Sequence, residues 1–261
     1  MRSDLLLRTL RRTLVPLAVI VLVVSGPVIG TSRDVREAPR APLSTPPSST
    51  TTTVPAPPSV VPVSTRLATP RGEVPTFDEP VGEPVGTVGR WYGYPMTMPI
   101  VEQRVGWLRI RLPERPNGST AWVRLEDVAL SSTPYRIVIS LAETKLAVFK
   151  DGFELFMAPV GIGTESTPTP AGSFFVAVIP KPPPAGYGPV VLDTNGHSEA
   201  IDSWEGSGDA ITSIHGPISE SSDTQIGTAG TRISNGCIRM HEADQRRLAV
   251  ITLGTPVDIV A

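Results

Sequence analysis

The chain of 261 residues is poor in several residue types, and each shortage excludes a class of protein. It has one cysteine, Cys237, so a scaffold held by disulfides within the chain is excluded. Its three histidines are scattered and lack the close ligand pairs of a zinc site, so we expect no metal and no cofactor. A formal net charge of −2 lacks the basic excess of nucleic-acid-binding proteins, so we expect no nucleic-acid partner.

The basic residues that are present gather at the N-terminus. Residues 1–40 hold seven arginines against three acids, and four of these arginines precede an apolar run at residues 14–24. A basic segment followed by an apolar run is typical of a secretory signal. Extended to Gly30, the stretch reaches the lower length limit of a membrane span. We therefore expect residues 1–33 to be a cleaved signal peptide or an uncleaved anchor in the cytoplasmic membrane, and the protein to be exported.

Two segments of different character follow. Residues 34–71 are dominated by Pro, Ser, Thr and Ala, a composition that favours an extended tether over a packed core. Residues 72–132 contain short alternating runs, the clearest at 107–125, where a Pro- and Gly-containing turn separates two strands. We expect a hairpin in a small SH3-like β module. Its aromatic residues Trp91, Tyr92 and Tyr94 are interpreted either as core residues or as a binding surface.

Residues 133–261 predict a second, mostly-β domain with one short helix. The runs "YRIVISL", "KLAVFK" and "GSFFVAVI" have the alternation and β-branched content of strands. Residues 181–210 are rich in Pro and Gly and indicate an ordered loop or lid. The acidic residues after His241 followed by arginines favour a short helix. The fold class expected for the whole chain is therefore mostly β.

Cys237 raises the main question about function. An exported protein meets an oxidising environment, in which cysteines usually pair. A lone cysteine is a buried inert thiol, an intermolecular link or a reactive nucleophile. Here Gly236 precedes it directly, which permits unusual backbone torsions, and the successive N–H groups of this segment could form an oxyanion nest. The polar surroundings favour the reactive thiol.

A thiol nucleophile requires a base, because the thiolate is the reactive form. His241 lies at an expected helix start, where exposure is usual, and His197 lies in a polar loop, where we expect a surface histidine. His215 ends the apolar run "AITSIHG" next to a turn at Gly216. A strand that delivers a histidine beside a tight turn is a good position for a base, so His215 is the preferred candidate.

Three motifs together carry a specific resemblance. "IHG" followed about twenty residues later by "SNGCIRM" resembles the L,D-transpeptidase family with its YkuD-type catalytic domain. The family motif is His-Gly, a spacer, then Ser or Thr followed by His-Gly-Cys. "STPTPAGSF" at residues 166–174 resembles the family's Thr-Pro-x-Gly-x-Phe segment. The likeness covers residues 134–261, and the preceding signal, tether and module are similar to actinobacterial members.

The resemblance implies a role for each matching residue. Cys237 would be the nucleophile and His215 the base, with the carbonyl of Gly216 orienting the imidazole. The backbone N–H groups of Asn235, Gly236 and Cys237 would form the oxyanion hole. Substrate-binding roles are expected for Arg239, Tyr187 and Ser234, which we list last because the motif specifies them least. Asn235 departs from the family, which has histidine at that position.

The resemblance also implies an activity and its partners. The expected function is formation of 3→3 crosslinks between peptidoglycan stem peptides in the cell wall, by a monomer that carbapenems acylate. An alternative with the same site is an L,D-carboxypeptidase, in which water accepts the acyl group. A second alternative is a non-enzymatic wall-binding protein that uses the module at 72–132.

Overall fold

The computed structural model describes residues 61–204, 206–228 and 231–261. The expected signal or anchor at 1–33 and most of the tether lie outside the described residues. Within the described ranges, no helix combines the length and the hydropathy that a membrane span requires. The described chain is mostly β, as the sequence predicts.

Residues 61–133 contain nine strands. They are β1 (Thr65–Pro70), β2 (Val74–Phe77), β3 (Pro84–Val88), β4 (Arg90–Trp91), β5 (Tyr94–Pro95), β6 (Met98–Arg104), β7 (Trp107–Arg111), β8 (Thr120–Arg124) and β9 (Val128–Thr133). Seven of them form one sheet in the order β3-β2-β8-β7-β6-β1-β9, and β4 pairs with β5 as a separate small hairpin. A 3-10 turn, Leu125–Asp127, joins β8 to β9.

The hairpin expected at residues 107–125 is confirmed as β7 and β8. These strands pair antiparallel from Trp107 opposite Arg124 to Arg111 opposite Thr120. Leu108 and Ile110 are fully buried, while the alternate residues Trp107, Arg109 and Arg111 are only half-buried. The alternation in the sequence therefore reports correctly which face of this strand meets the core.

The module begins earlier than expected. Strand β1 lies inside residues 34–71, the range assigned to the tether, and pairs with β9 without interruption from Thr65 to Pro70. The physical reason is burial, because Leu67 is 3% exposed and Ala68 is inaccessible to solvent. Composition alone did not predict this strand, because the stretch is rich in Pro and Thr and contains only a few apolar residues, of which Leu67 and Ala68 are buried.

The second part contains ten strands and two short helices. The strands are β10 (Tyr135–Ser140), β11 (Lys145–Lys150), β12 (Phe153–Pro159), β13 (Ile162–Gly163), β14 (Gly172–Val178), β15 (Leu192–His197), β16 (Ile211–His215), β17 (Arg232–Ser234), β18 (Ile238–Arg239) and β19 (Pro256–Val260). The helices are α1 (Glu220–Gln225) and α2 (Glu242–Gln245), and a 3-10 turn, Arg246–Val250, follows α2. Eight strands form a sheet in the order β12-β11-β10-β19-β14-β15-β16-β18, and β13 pairs with β17.

Strand β14 contributes to two hydrophobic cores. Phe174 and Val176 pack in the core of the second sheet, whereas Phe175 and Ala177 pack with the buried residues of the N-terminal module. Successive side chains of a strand point to opposite faces, so the unbroken run Phe-Phe-Val-Ala is what a strand covered on both faces requires. Phe175 is completely buried. The module and the second domain are therefore joined by shared packing.

A polar network reinforces this junction. The side-chain amide of Asn117 donates to the carbonyl of His197 and accepts from its N–H, both at 2.8 Å. Nε2 of His197 donates to the carbonyl of Pro113 at 2.7 Å. The expectation of a surface histidine at position 197 is wrong, because His197 is 2% exposed at the end of β15. Its polar loop is covered by the module, which local sequence does not reveal.

We expect Phe175→Ala to lower the free energy of unfolding by about 3–5 kcal/mol, the usual range for removing a buried phenylalanine side chain. The substitution leaves a cavity where β14 meets the core of the module. The measurement is equilibrium denaturation followed by tryptophan fluorescence.

A matched control is Phe153→Ala, because Phe153 is 79% exposed on the edge strand β12. It should change the free energy of unfolding by no more than about 0.5 kcal/mol. Equal losses for the two variants would contradict the shared core.

Candidate active site

His215 is fixed by the end of β16. This strand lies between β15, with which it pairs antiparallel, and β18, with which it pairs in parallel, and His215 lies opposite Arg239. The ring nitrogen Nδ1 lies 2.7 Å from the carbonyl oxygen of Gly216. A carbonyl oxygen only accepts hydrogen bonds, so we assign the proton of the neutral ring to Nδ1. Nε2 is then the nitrogen that can accept a proton.

The surroundings of His215 keep its ring neutral. The residue is 1% exposed, and the ring of Tyr187 packs edge-on against the imidazole with centroids 4.8 Å apart. Burial lowers the pKa of His215 from 6.5 to about 4; the positive charge of Arg239 also lowers it, and the hydrogen bond to Gly216 opposes the shift. At neutral pH the imidazole is therefore a base ready to accept a proton.

Cys237 lies between β17 and β18 and is partly accessible to solvent. Burial raises the pKa of its thiol, and the charge of Asp193 adds to the effect. A hydrogen bond with the backbone of Ser213 and the charge of Arg239 partly oppose this rise. The sulfur lies 4.0 Å from the carbonyl oxygen of Ile211, and within the described ranges no hydrogen bond joins it to His215. The free protein therefore holds a neutral thiol and a neutral imidazole.

The loop that carries Cys237 is braced by two hydroxyl groups. Ser234 Oγ donates to the carbonyl of Cys237 at 2.6 Å and accepts from the N–H of Gly236 at 3.2 Å. Thr169 Oγ1 accepts from the N–H of Gly163 and donates to the carbonyl of Gly236, both at 2.9 Å. The "STPTPAGSF" motif thus reaches the cysteine loop through its buried threonine.

Two of the expected roles change with this bracing. The N–H of Gly236 is already bonded to Ser234, so it is not a free donor for an oxyanion, and the N–H groups of Asn235 and Cys237 remain as candidates. Ser234 is 3% exposed and both of its hydrogen bonds serve the loop. Gly236 itself has φ of +118°, a conformation that strongly favours glycine.

Asn235 is exposed beside the cysteine loop. Its side-chain oxygen accepts a hydrogen bond from Thr167 Oγ1 at 3.4 Å. The position at which the family has histidine therefore holds a neutral amide that is tied to the neighbouring Thr-Pro segment.

Arg239 is partly buried and has spare hydrogen-bonding capacity. Its Nη1 donates to Ser222 Oγ at 2.8 Å, and its Nε is buried without a hydrogen-bond partner among the residues that the structure describes. Burial lowers the pKa of its guanidinium, and no ion pair of Arg239 occurs in the same described set. A charged donor in this condition is suited to an anionic group of a ligand.

One cavity of about 490 Å³ brings the predicted residues together. Six of them line it: Tyr187, His215, Ser234, Asn235, Cys237 and Arg239. Gly216 and Gly236 lie behind this surface and act through their backbone atoms. No cluster of three or more metal-binding side chains occurs in the described part of the chain.

Two residues of the site gave no signal in the sequence. Asp193 lines the cavity and accepts a hydrogen bond from Ser213 Oγ at 2.5 Å, and burial raises the pKa of its carboxyl against the effect of this bond. Gln245 is fully buried and donates to the carbonyls of Tyr187, at 2.8 Å, and of Val190. Gln245 thereby anchors the Pro- and Gly-rich loop that presents Tyr187, and only the fold brings these positions together.

Comparison with known proteins supports the resemblance of the second domain to L,D-transpeptidases. Residues 134–259 match the model of the YkuD family, described as the L,D-transpeptidase catalytic domain. No curated protein sequence matches the chain significantly.

Several solved structures match parts of the chain. An Enterococcus faecium L,D-transpeptidase mutant is 23% identical, with 48% of this chain and 49% of that chain covered and a TM-score of 0.36. The chain thus spans about half of that structure. The transpeptidase LdtMt1, solved in complex with imipenem, is 18% identical, with 76% and 82% covered and a TM-score of 0.40. L,D-transpeptidase 3 from Mycobacterium tuberculosis, solved with a faropenem-derived adduct, is 18% identical, with 57% and 76% covered and a TM-score of 0.36.

The family model is the comparison that carries the assignment, because it covers the whole second domain, including both motifs that flank the cavity. Over residues 134–259, just under half of its length, the chain is similar to the YkuD family of L,D-transpeptidase catalytic domains.

Proposed function

We propose that the protein is a cell-wall L,D-transpeptidase that forms 3→3 crosslinks between peptidoglycan stem peptides. The observation that carries the proposal is the arrangement at one cavity of a lone cysteine and a buried, neutral histidine whose Nδ1 is bonded to Gly216. A nucleophile, a base and a group that orients the base are the three parts that thiol acyl transfer requires.

The first half-reaction forms a thioester. Cys237 Sγ attacks the carbonyl carbon of the third stem residue while its proton passes to Nε2 of His215. The N–H groups of Asn235 and Cys237 stabilise the negative charge that develops on the carbonyl oxygen. The tetrahedral intermediate then breaks its C–N bond, and the imidazolium returns the proton to the leaving amine of the terminal D-residue. The acyl group remains on sulfur.

The second half-reaction transfers the acyl group to another stem. The side-chain amine of its third residue attacks the thioester and loses a proton to Nε2 of His215. The C–S bond breaks, the sulfur recovers the proton, and an amide joins the two stems. The ring of Tyr187 covers one side of the imidazole, and the loop that carries it is anchored by Gln245. Exclusion of water from that side favours the amine as acceptor.

The substrate defines where this reaction takes place. Peptidoglycan lies outside the cytoplasm, so we propose that the basic and apolar N-terminus directs export and that the tether lets the enzyme reach its substrate. A lone cysteine suits that oxidising setting, because no second thiol of the chain can trap it as a disulfide.

The decisive experiment incubates the purified protein with disaccharide–tetrapeptide and analyses the products by mass spectrometry. We expect a dimer that has lost one terminal D-residue, because acyl transfer releases that residue. Imipenem should abolish the product and add its own mass to the protein, because the thiol opens the β-lactam ring and the ring nitrogen takes the proton.

Cys237→Ala should give neither dimer nor adduct while its circular dichroism spectrum remains that of the native fold. Accumulation of tripeptide without dimer would show that water is the acceptor and that the protein is a carboxypeptidase. An imipenem adduct on Cys237→Ala would overturn the assignment of the nucleophile.

The pKa directions predict an unusual pH dependence. Because the pKa of the Cys237 thiol is raised, its alkylation by iodoacetamide should still accelerate above about pH 8.5, where an ordinary thiol titrates. Because protonation of His215 removes the base, kcat/KM should fall on the acid side as the pH approaches about 4. Rates measured from pH 4 to 10 test both limits. An alkylation rate that is already constant below pH 7 would indicate a preformed thiolate–imidazolium pair instead.

Arg239 is proposed to bind the terminal carboxylate of the donor stem. Arg239→Lys should lower kcat/KM for the tetrapeptide by about tenfold, because lysine keeps the charge but loses the planar donor pair. A donor whose terminal carboxylate is amidated should lose much less. Arg246→Lys is the control, since Arg246 pairs with Glu242 on the surface, and it should leave both substrates unaffected. Equal losses for both donors would contradict carboxylate binding.

A further inference from the structure

The YkuD-type domain supplies only part of the wall of the active-site cavity. Besides the residues near Cys237, it is lined by Tyr92 and Tyr94 of the N-terminal module and by Trp204 and Ile201 of the loop after β15. The three aromatic side chains remain 53%, 43% and 42% exposed, in the order Tyr92, Tyr94 and Trp204. We refer to Tyr92, Tyr94 and Trp204 as the aromatic wall. Large aromatic surfaces left open at a cavity mark a binding site more often than a packing defect.

The backbone of the module presents Tyr92 at a conformational cost. Tyr92 and Gly93 form the two-residue turn between β4 and β5, with φ of +48° and +80°. Asparagine and glycine are the usual residues of such a turn, and a bulky residue at positive φ is rare. Strained positions of this kind persist where surrounding contacts determine them and where function uses the side chain. The turn therefore places this ring at the cavity despite the preference of its backbone.

A set of contacts with Asp209 fixes the wall in position. The hydroxyl of Tyr92 donates to Oδ2 of Asp209 at 3.1 Å, and Arg115 donates twice to Oδ1, at 3.0 and 2.9 Å. Nδ1 of His197 lies 2.8 Å from Oδ2. Burial alone would raise the pKa of Asp209, but the neighbouring His197, the N–H of Ala210 and the side chain of Arg115 hold it below its usual value. The carboxylate thus stays charged and joins the module to the loop of Trp204.

Contacts between aromatic rings also hold Tyr92 in position. Trp91 stacks at an angle on Tyr92 with centroids 4.6 Å apart and meets the buried ring of His197 edge-on at 6.2 Å. Arg115 also donates to the carbonyls of Ser198 and Ile201, at 2.9 and 3.3 Å. Both sides of the aromatic wall, one from each domain, are therefore preorganised before a ligand arrives, which lowers the entropic cost of binding.

We propose that the aromatic wall is a saccharide subsite, which binds the sugar that carries the donor stem peptide. This inference rests on the proposed function and deepens it. A stem peptide is attached to its sugar at one end and is cleaved near the other, so the sugar must extend away from Cys237 when the scissile bond is in place. The flat face of a pyranose ring presents C–H groups, which complement the negative face of an aromatic ring. The hydroxyl of Tyr92 donates to Asp209 and keeps its oxygen as an acceptor for a sugar hydroxyl, and the exposed side chain of Tyr94 lines the same cavity.

The test compares two donors with the same stem, disaccharide–tetrapeptide and the free tetrapeptide. Wild-type protein should prefer the saccharide-bearing donor in kcat/KM. Tyr92→Ala and Trp204→Ala should each reduce that preference roughly two- to tenfold, the range expected for one aromatic contact. Tyr92→Phe should retain most of the preference, because it keeps the ring. Phe153→Ala, an exposed aromatic on the opposite edge of the sheet, is the matched control and should leave the preference unchanged.

A binding measurement separates this inference from the proposed function. In Cys237→Ala protein, which cannot turn over, the peptide-free disaccharide should give saturable binding by isothermal titration calorimetry, and adding Tyr92→Ala should weaken it. Turnover of both donors without any preference for the saccharide would overturn the subsite while leaving transpeptidation intact. Saccharide binding without turnover of either donor would support the subsite and defeat the proposed function. Absence of saccharide binding in Cys237→Ala would also count against the subsite.

Discussion

The structure depends on one strand, β14, whose two faces pack into two different hydrophobic cores. Phe174 and Val176 of β14 pack with the sheet that carries His215, while Phe175 and Ala177 pack with the module. Burial of apolar side chains is the largest favourable term in folding, and here a single run of residues supplies it on both faces. The position of the module relative to the active site follows from this packing. Only because the two parts are held together can residues from both line one cavity.

The chemistry of the site depends on desolvation rather than on preformed charge. Burial lowers the pKa of His215 and raises that of Cys237, so both groups are neutral in the free protein. The hydrogen bond from Nδ1 to Gly216 selects the tautomer in which Nε2 accepts a proton. In the proposed mechanism, proton transfer from the thiol to Nε2 is coupled to attack on the substrate. A neutral thiol also resists oxidation better than a thiolate does.

The sequence predicted correctly those features that depend on residues close together in the chain. Alternation identified the hairpin of β7 and β8, and the surroundings of Cys237 and His215 pointed to residues that the fold places on one cavity. The start of the module was wrong, because the burial of Leu67 depends on β1 finding β9 more than sixty residues away. The composition of a segment does not predict whether it pairs with a strand so far away in the sequence.

The features that sequence reasoning missed share this long-range origin. Arg115 and Asp209 are 94 residues apart, and Asn117 and His197 are 80 apart, so neither pair forms a motif. Gln245 looks like an ordinary residue of a charged helix until the loop at Tyr187 is seen beside it. The hydrogen bond between the N–H of Gly236 and the hydroxyl of Ser234 was also not expected, because sequence does not show which acceptor lies near a backbone donor.

The two-faced strand β14 also limits how freely the parts of this protein can be exchanged during evolution. A catalytic domain that ends in its own solvated surface can be recombined with any neighbour, because nothing on that surface needs a partner. Here Phe175 would be left uncovered by any neighbour that did not fill the same space. We therefore expect substitutions in the module and in the second domain to remain compatible with each other at this strand.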